Sequence, residues 1–273
     1  MTLRAPDEES VVALLWEMGT EGIEVLPGAP GETILLAYFP DELGLAEAVA
    51  GRLAGTTGAR VERTAIPDVD WVARFREGFR AFGCGGFWIA PAWDIGAAPP
   101  EGRRLLIVDP GRAFGTGTHE TTRLCLRALE DLAPPRDPES LVLDIGTGSG
   151  VLAVAAALLG WRRVVAVDID PESVSSAASH ARLNHVSIAL ARGDGGAPFR
   201  RRRFSVVLAN ITSPVLVSRR GELAELAAPG GTLVLSGALA SEVQAVREAY
   251  SPFGDIDVLV DGEWAGLVLR CRS

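Results

Sequence analysis

The sequence predicts an α/β protein: a mostly parallel sheet closed by an antiparallel edge hairpin, preceded by a small α+β unit. Three observations carry this. From Leu105 onward, short apolar strands alternate with helix-length segments, the pattern of parallel strands joined by crossovers. One strand, Leu141–Leu143, runs through Asp144 into a Gly-x-Gly-x-Gly turn and then an apolar helix. The last two β-rich segments, Asp255–Leu259 and Ala265–Arg270, have no helix-length spacer between them, which predicts a hairpin at a sheet edge.

Each element has its own signal. Over 1–64, Glu9–Met18 carries apolar residues at helical spacing behind an acidic first turn, Thr33–Phe39 is β-rich, Leu43–Leu53 is helical and Gly58–Arg63 returns as a strand. With a short first strand the order is (β)αββαβ, a ferredoxin-like arrangement. Residues 65–104 read as a connector: a helix over Trp71–Phe82, then a Gly/Pro-rich passage, with aromatics that bury the helix on the next domain. Over 105–273, strands are predicted at Leu141–Leu143, Val164–Val167, Val206–Ala209 and Leu233–Leu235, then the two hairpin strands. Helices fall at Arg123–Leu132, Val151–Leu159, Glu172–Leu183, Val215–Leu226 and Ser241–Tyr250.

Composition narrows the function. The 273 residues hold 26 Lys+Arg against 35 Asp+Glu, a net charge of −9, and 48% are hydrophobic, which excludes global disorder. The acidic balance argues against direct nucleic-acid binding and favours a basic protein partner. Cys84, Cys125 and Cys271 are isolated from one another, which gives neither a disulfide framework nor a metal site. The first ten residues lack an apolar signal core, and Val151–Trp161 is too short to span a bilayer, so a soluble cytoplasmic protein is expected.

The motifs point to a nucleotide-like ligand. Gly146, Gly148 and Gly150 let the backbone turn sharply and approach a ligand closely. A dinucleotide loop needs Gly-x-Gly-x-x-Gly, and that spacing fails at Val151. Gly-x-Gly-x-Gly behind Asp144 instead resembles the loop of class I S-adenosylmethionine-dependent methyltransferases, in which a nearby carboxylate can balance the ligand's ammonium. Asp168, at the tip of the next strand, can accept from both hydroxyls of a ribose. Asp170 before Pro171 reads as a helix N-cap. Asn210, where Val206–Ala209 runs out, is a turn residue or a site residue. Asp109–Thr122, rich in glycine and threonine, reads as a mobile hydroxyl-rich lid. His119 within it is a candidate base or a structural hydrogen bonder. Arg200–Arg203 reads as a solvated loop.

Together these residues resemble the ribosomal protein L-eleven (L11) methyltransferase family, PrmA-type. The resemblance runs through DPGRAFGTGTHETT (Asp109–Thr122), LDIGTGSGVLAVAA (Leu143–Ala156), VDIDP (Val167–Pro171), LANIT (Leu208–Thr212) and LSGAL (Leu235–Leu239), with DWVARFREGF (Asp70–Phe79) and FWIAPAW (Phe87–Trp93) before them. It implies a Rossmann-like class I methyltransferase domain and an enzyme that uses S-adenosyl-L-methionine. The substrate amines would be lysine side chains and the N-terminus of a basic protein of the large ribosomal subunit, which the small N-terminal domain recognises. The alternative is a methyltransferase of the same fold acting on another protein, a nucleic acid or a small molecule. Carried over by motif, the cofactor contacts are Thr122, Gly146, Asp168 and Asn210, joined by Asp144 and Gly148 from the glycine-loop reading, with no metal and a monomeric chain expected. Asn210 is favoured for aiming the amine. Phe75, Ala81 and His180 depart from the family pattern, which touches the linker and one helix rather than the chemistry.

Overall fold

The structure, a computed structural model, describes residues 2–4, 11–12, 14–15, 18–20, 22–27, 32–39, 45–57, 79–95, 99–109, 117–132, 139–199 and 203–272. The chain divides into two compact units, Met1–Val69 and Asp70–Ser273.

In the first unit, β1 (Thr2–Arg4), β2 (Gly22–Pro27) and β3 (Glu32–Tyr38) form an antiparallel sheet in the order β1-β3-β2, and α1 spans Leu45–Thr57. Residues 11–12 and 14–15 are helical, as their apolar spacing predicts. Val11, Leu15, Leu35, Val49 and Leu53 make its core. The predicted strand Gly58–Arg63, on which the ferredoxin-like assignment turns, lies outside the described residues, as does most of the predicted helix Trp71–Phe82.

In the second unit the Gly/Pro-rich passage is itself a sheet. β4 (Phe82–Cys84) and β5 (Phe87–Pro91) form a hairpin around Gly85-Gly86, and β6 (Arg104–Val108) adds in parallel to β5. The Gly-Gly pair between two apolar runs is a two-residue hairpin signal, masked in the sequence by the surrounding glycines and prolines. Phe79 and Phe87 are core residues, whereas Trp93 is 44% exposed. The free edge of β6 is closed by side chains: Ile107 donates to and accepts from the Asn184 amide at 2.7 Å each, and the Asp109 N–H donates to His180 Nε2 at 2.9 Å. Those bonds satisfy backbone groups that an unpaired edge leaves open.

Among the described residues the main sheet has seven strands, in the order β12-β13-β11-β10-β7-β8-β9. Along the chain come α2 (Glu120–Asp131), β7 (Leu141–Ile145), α3 (Val151–Leu159), β8 (Arg163–Asp168), α4 (Pro171–Leu183), β9 (Ala189–Arg192) and β10 (Phe204–Asn210). After them come α5 (Ser213–Ser218), α6 (Arg220–Leu226), β11 (Ala227–Leu239), α7 (Val243–Tyr250), β12 (Gly254–Asp261) and β13 (Trp264–Cys271). Strands β11, β10, β7, β8 and β9 are parallel, and β13 joins antiparallel to both β11 and β12. The predicted edge hairpin is therefore present.

Strand alternation divides the core in two. Val142, Leu208 and Val234 face one side with α2 and α3, and Leu143, Val207 and Leu235 face the other with α5, α6 and α7. Two elements differ from expectation. The helix predicted over Val215–Leu226 breaks at Arg219, whose φ −98°, ψ 11° separate α5 from α6. Strand β9 was not predicted, because Ala-Leu-Ala-Arg lacks the β-branched residues that mark a strand. Among the described residues no helix is long and apolar enough to cross a membrane.

Candidate active site

Strand order reverses at β7: β8 and β9 are added on one side, then β10 and β11 on the other. In open α/β sheets such a switch point opens a crevice at the carboxyl ends of the strands. A cavity of about 460 Å³ occupies this place, walled by Gly146 and Gly148 after β7, Asp168 at the end of β8, Asn210 at the end of β10 and Thr122 in the first turn of α2. Its size is that of a small-molecule site.

The floor is the predicted glycine turn. Gly146, Gly148 and Gly150 stand at φ 66°, 55° and 82°, a region that side chains other than glycine's rarely enter. Gly150 has a second constraint, since a Cβ there would lie 2.7 Å from the Ala177 Cβ of α4. The turn is fastened to the neighbouring strand: the N–H groups of Gly146 and Thr147 donate to the Val167 carbonyl at 3.0 and 3.1 Å.

Asp168 continues that fastening. Its Oδ2 accepts from the Gly148 N–H at 2.9 Å and its Oδ1 from the Asp170 N–H at 3.0 Å, so backbone donors fix the carboxylate where it borders the cavity. Asp170 is the N-cap read from the sequence, accepting from Glu172 N–H at 2.9 Å and Ser173 N–H at 3.3 Å, with Pro171 opening α4.

Asn210 Nδ2 donates to Thr122 Oγ1 at 3.5 Å, a long contact that links two walls of the cavity. The loop after Asn210 is seated by β11. Ile211 N–H donates to the Ser236 carbonyl at 3.0 Å, and Gly237, at φ 99° beside a bulge, lets the Ile211 backbone lie close.

Two sequence candidates lie elsewhere. Asp144 is not in the cavity wall. It is 1% exposed beneath the loop, where its Oδ2 accepts from the Thr147 hydroxyl at 2.5 Å. Burial pushes its carboxyl up to about 7, against the lowering effect of the Thr147 hydroxyl and the Ala153 N–H. Its bond to the Thr147 hydroxyl fastens the loop from beneath, so Asp144 supports the cavity floor without lining the cavity. Strand alternation places it on the Val142 face, under α3. His119 is the N-cap of α2: its Nδ1 accepts from the Thr121 N–H at 3.3 Å, and its ring meets Trp264 edge-on at 4.7 Å. It is absent from the cavity lining, and its ring nitrogen caps the helix.

Sequence reasoning missed other wall residues. Ile169, 62% exposed, stands beside Asp168, and an apolar residue between two acids was its signal. Arg219 and Asp194 also line the wall and pair with each other at 2.5 Å. Gly221, two residues past the helix break at Arg219, was the local signal for it.

The family model described as Ribosomal protein L11 methyltransferase (PrmA) matches residues 8–272. A ribosomal protein L11 methyltransferase of Geobacter sulfurreducens is 40% identical over 263 residues, covering 92% of this chain and 84% of its own. One from Pseudomonas paraeruginosa is 40% identical over 248 residues, covering 88% and 82%. The crystal structure of a ribosomal protein L11 methylase from Lactobacillus delbrueckii subsp. bulgaricus superposes with a TM-score of 0.65 at 29% identity, over 71% of this chain and all of that one. With the matched motifs gathered around one cavity, the chain belongs to the ribosomal protein L11 methyltransferase family.

Proposed function

We propose that this enzyme transfers the methyl group of S-adenosylmethionine to amino groups of ribosomal protein L11, on lysine side chains and at its N-terminus. The observation that carries the reading is the whole-chain family match, whose motifs converge on the switch-point cavity. When bound there, S-adenosylmethionine supplies an electrophilic methyl group on a sulfonium centre.

The residues present fit that cofactor. Asp168, pre-set by two backbone N–H groups, offers carboxylate lone pairs to the two ribose hydroxyls. The glycine turn brings backbone to the methionine end with no Cβ in the way, and Ile145, Leu152 and Ile169 give the wall its apolar part. Thr122 and Asn210 face the cavity from the opposite side. With Nδ2 engaged by Thr122, the Asn210 amide presents Oδ1 as an acceptor for an incoming N–H.

When bound, S-adenosylmethionine would supply its methyl carbon to the lone pair of a neutral amine and would leave as the thioether. A lysine at pH 7 must first lose a proton, a cost of about 4.6 kcal/mol from its reference pKa. A desolvated approach lowers that pKa, solvent takes the proton, and Asn210 aims the lone pair. The acidic chain, net −9, suits a basic ribosomal protein, and its place of action is the cytoplasm, as a monomer.

Incubation with methyl-labelled S-adenosylmethionine and total large-subunit components tests this. Label is expected in one basic protein, on amino nitrogens, and Asn210→Ala is expected to lower kcat by about 10- to 100-fold, the scale of a misaimed reactant. Label in RNA or in a different protein overturns the substrate assignment, and unchanged turnover by Asn210→Ala overturns the role of that residue.

A further inference from the structure

The β12–β13 hairpin contributes nothing to the cavity wall, yet its turn meets the first turn of α2, which does. Asp261 pairs with Trp264 across a two-residue turn in which Gly262, at φ 61°, takes the first central position, as a tight hairpin requires. From α2, the Arg123 guanidinium reaches three acceptors: Nε donates to Asp261 Oδ2 at 3.0 Å, Nη1 to the Thr118 carbonyl at 2.6 Å and Nη2 to Glu120 Oε1 at 3.1 Å. Arg127 adds a looser pair with the same Asp261 oxygen at 3.7 Å. On the other side of the turn, Trp264 receives the His119 ring edge-on at 4.7 Å. His119 in turn caps α2 at the Thr121 N–H. One strand end therefore holds Arg123 and the next holds His119, and the residues between them include Thr122.

We propose that the turn of the β12–β13 hairpin, through Asp261 and Trp264, is a positioning element for methyl transfer: it fixes the first turn of α2 and so sets Thr122 against Asn210 at the cofactor wall. Arg123 suits this task because a planar guanidinium can tie a carboxylate, a backbone carbonyl and a second carboxylate in one geometry. Neither Asp261 nor Trp264 touches the cavity, so both act through α2. The proposal rests on the reading that the cavity holds S-adenosylmethionine.

The test compares Asp261→Asn with Asp257→Asn. The latter removes an exposed ion pair within the same hairpin, to Arg270 at 2.7 Å, without touching α2. For Asp261→Asn the dissociation constant of S-adenosylhomocysteine and the KM for S-adenosylmethionine are expected to rise about 3- to 10-fold, the scale of one ordinary hydrogen bond's net contribution. The KM for the protein substrate and the values for Asp257→Asn are expected to stay unchanged. Trp264→Leu is expected to act in the direction of Asp261→Asn. Hydrogen exchange at the first turn of α2 is expected to quicken in Asp261→Asn alone of the two hairpin-charge variants. Cofactor binding by a folded Asp261→Asn equal to that of the unmodified protein overturns the proposal, as does an equal loss in Asp257→Asn. Should the unmodified protein itself bind no S-adenosylhomocysteine, the functional reading fails, and unchanged exchange in Asp261→Asn then overturns the positioning role separately.

Discussion

Burial governs the behaviour of Asp144. Its carboxyl, 1% exposed, is pushed up to about 7 by loss of water, while in an unfolded chain it ionises near 4. Between about pH 4 and pH 7 the native state therefore binds more protons than the unfolded state, so this group makes folding less favourable as pH rises through that window and no further above it. Asp144→Asn removes that dependence. The denaturant midpoint of the unmodified protein is expected to fall relative to Asp144→Asn between pH 5 and pH 8, and parallel midpoints across that range contradict the assignment. At this scale the sequence revealed Asp168 and the glycines, because a residue at a strand tip followed by a turn has few directions in which to point. For Asp144, proximity to the turn suggests a ligand contact, whereas strand alternation sets it on the Val142 face beneath α3. For His119, the cap offered by the Thr121 N–H and the Trp264 ring come from chain neighbours and from a distant strand respectively, and only the first is visible in sequence.

At the scale of elements, the loop that carries Asn210 depends on β11. A Cβ on Gly237 would fall 2.3 Å from the Ile211 carbonyl oxygen and 2.8 Å from its carbon, both backbone atoms, and φ 99° is itself hostile to a side chain. Gly237→Ala is expected to cost about 1–3 kcal/mol of stability, the range for a residue forced into sparse φ/ψ space, and to lower kcat through displacement of Asn210. Normal turnover with an unshifted melting temperature contradicts that link. The LSGAL motif thus has a physical reason in the bulge and close approach at Gly237. Long apolar elements such as α3 were legible because all of Val151–Leu159 is apolar, and its helix ends at Gly160 as the pattern requires. Three shorter features were not. Four residues of β9 without β-branching, the β4–β5 hairpin inside a glycine-rich passage, and the α5–α6 break at Arg219 each depend on tertiary partners that one sequence does not display.

At the scale of the molecule, the site exists because strand order reverses at β7, so that β7, β8 and β10 end side by side around one crevice. Segments far apart in the chain, at Thr122, Gly146, Asp168 and Asn210, meet there although no local pattern joins them. The alternation of strands and helices announced the parallel sheet, and the spacer length announced its antiparallel edge. What the sequence did not disclose is that the edge hairpin reaches back to α2, through Arg123 and Trp264. The central claim is that this crevice holds S-adenosylmethionine with Asp168 on its ribose. Calorimetric titration with S-adenosylhomocysteine tests it most directly. The account predicts saturable one-to-one binding by the unmodified protein, weakened at least about 100-fold in Asp168→Ala, as the loss of two charge-assisted hydrogen bonds of about 1.5 kcal/mol or more each implies. No heat of binding in the folded protein, or equal affinity in Asp168→Ala, would contradict it.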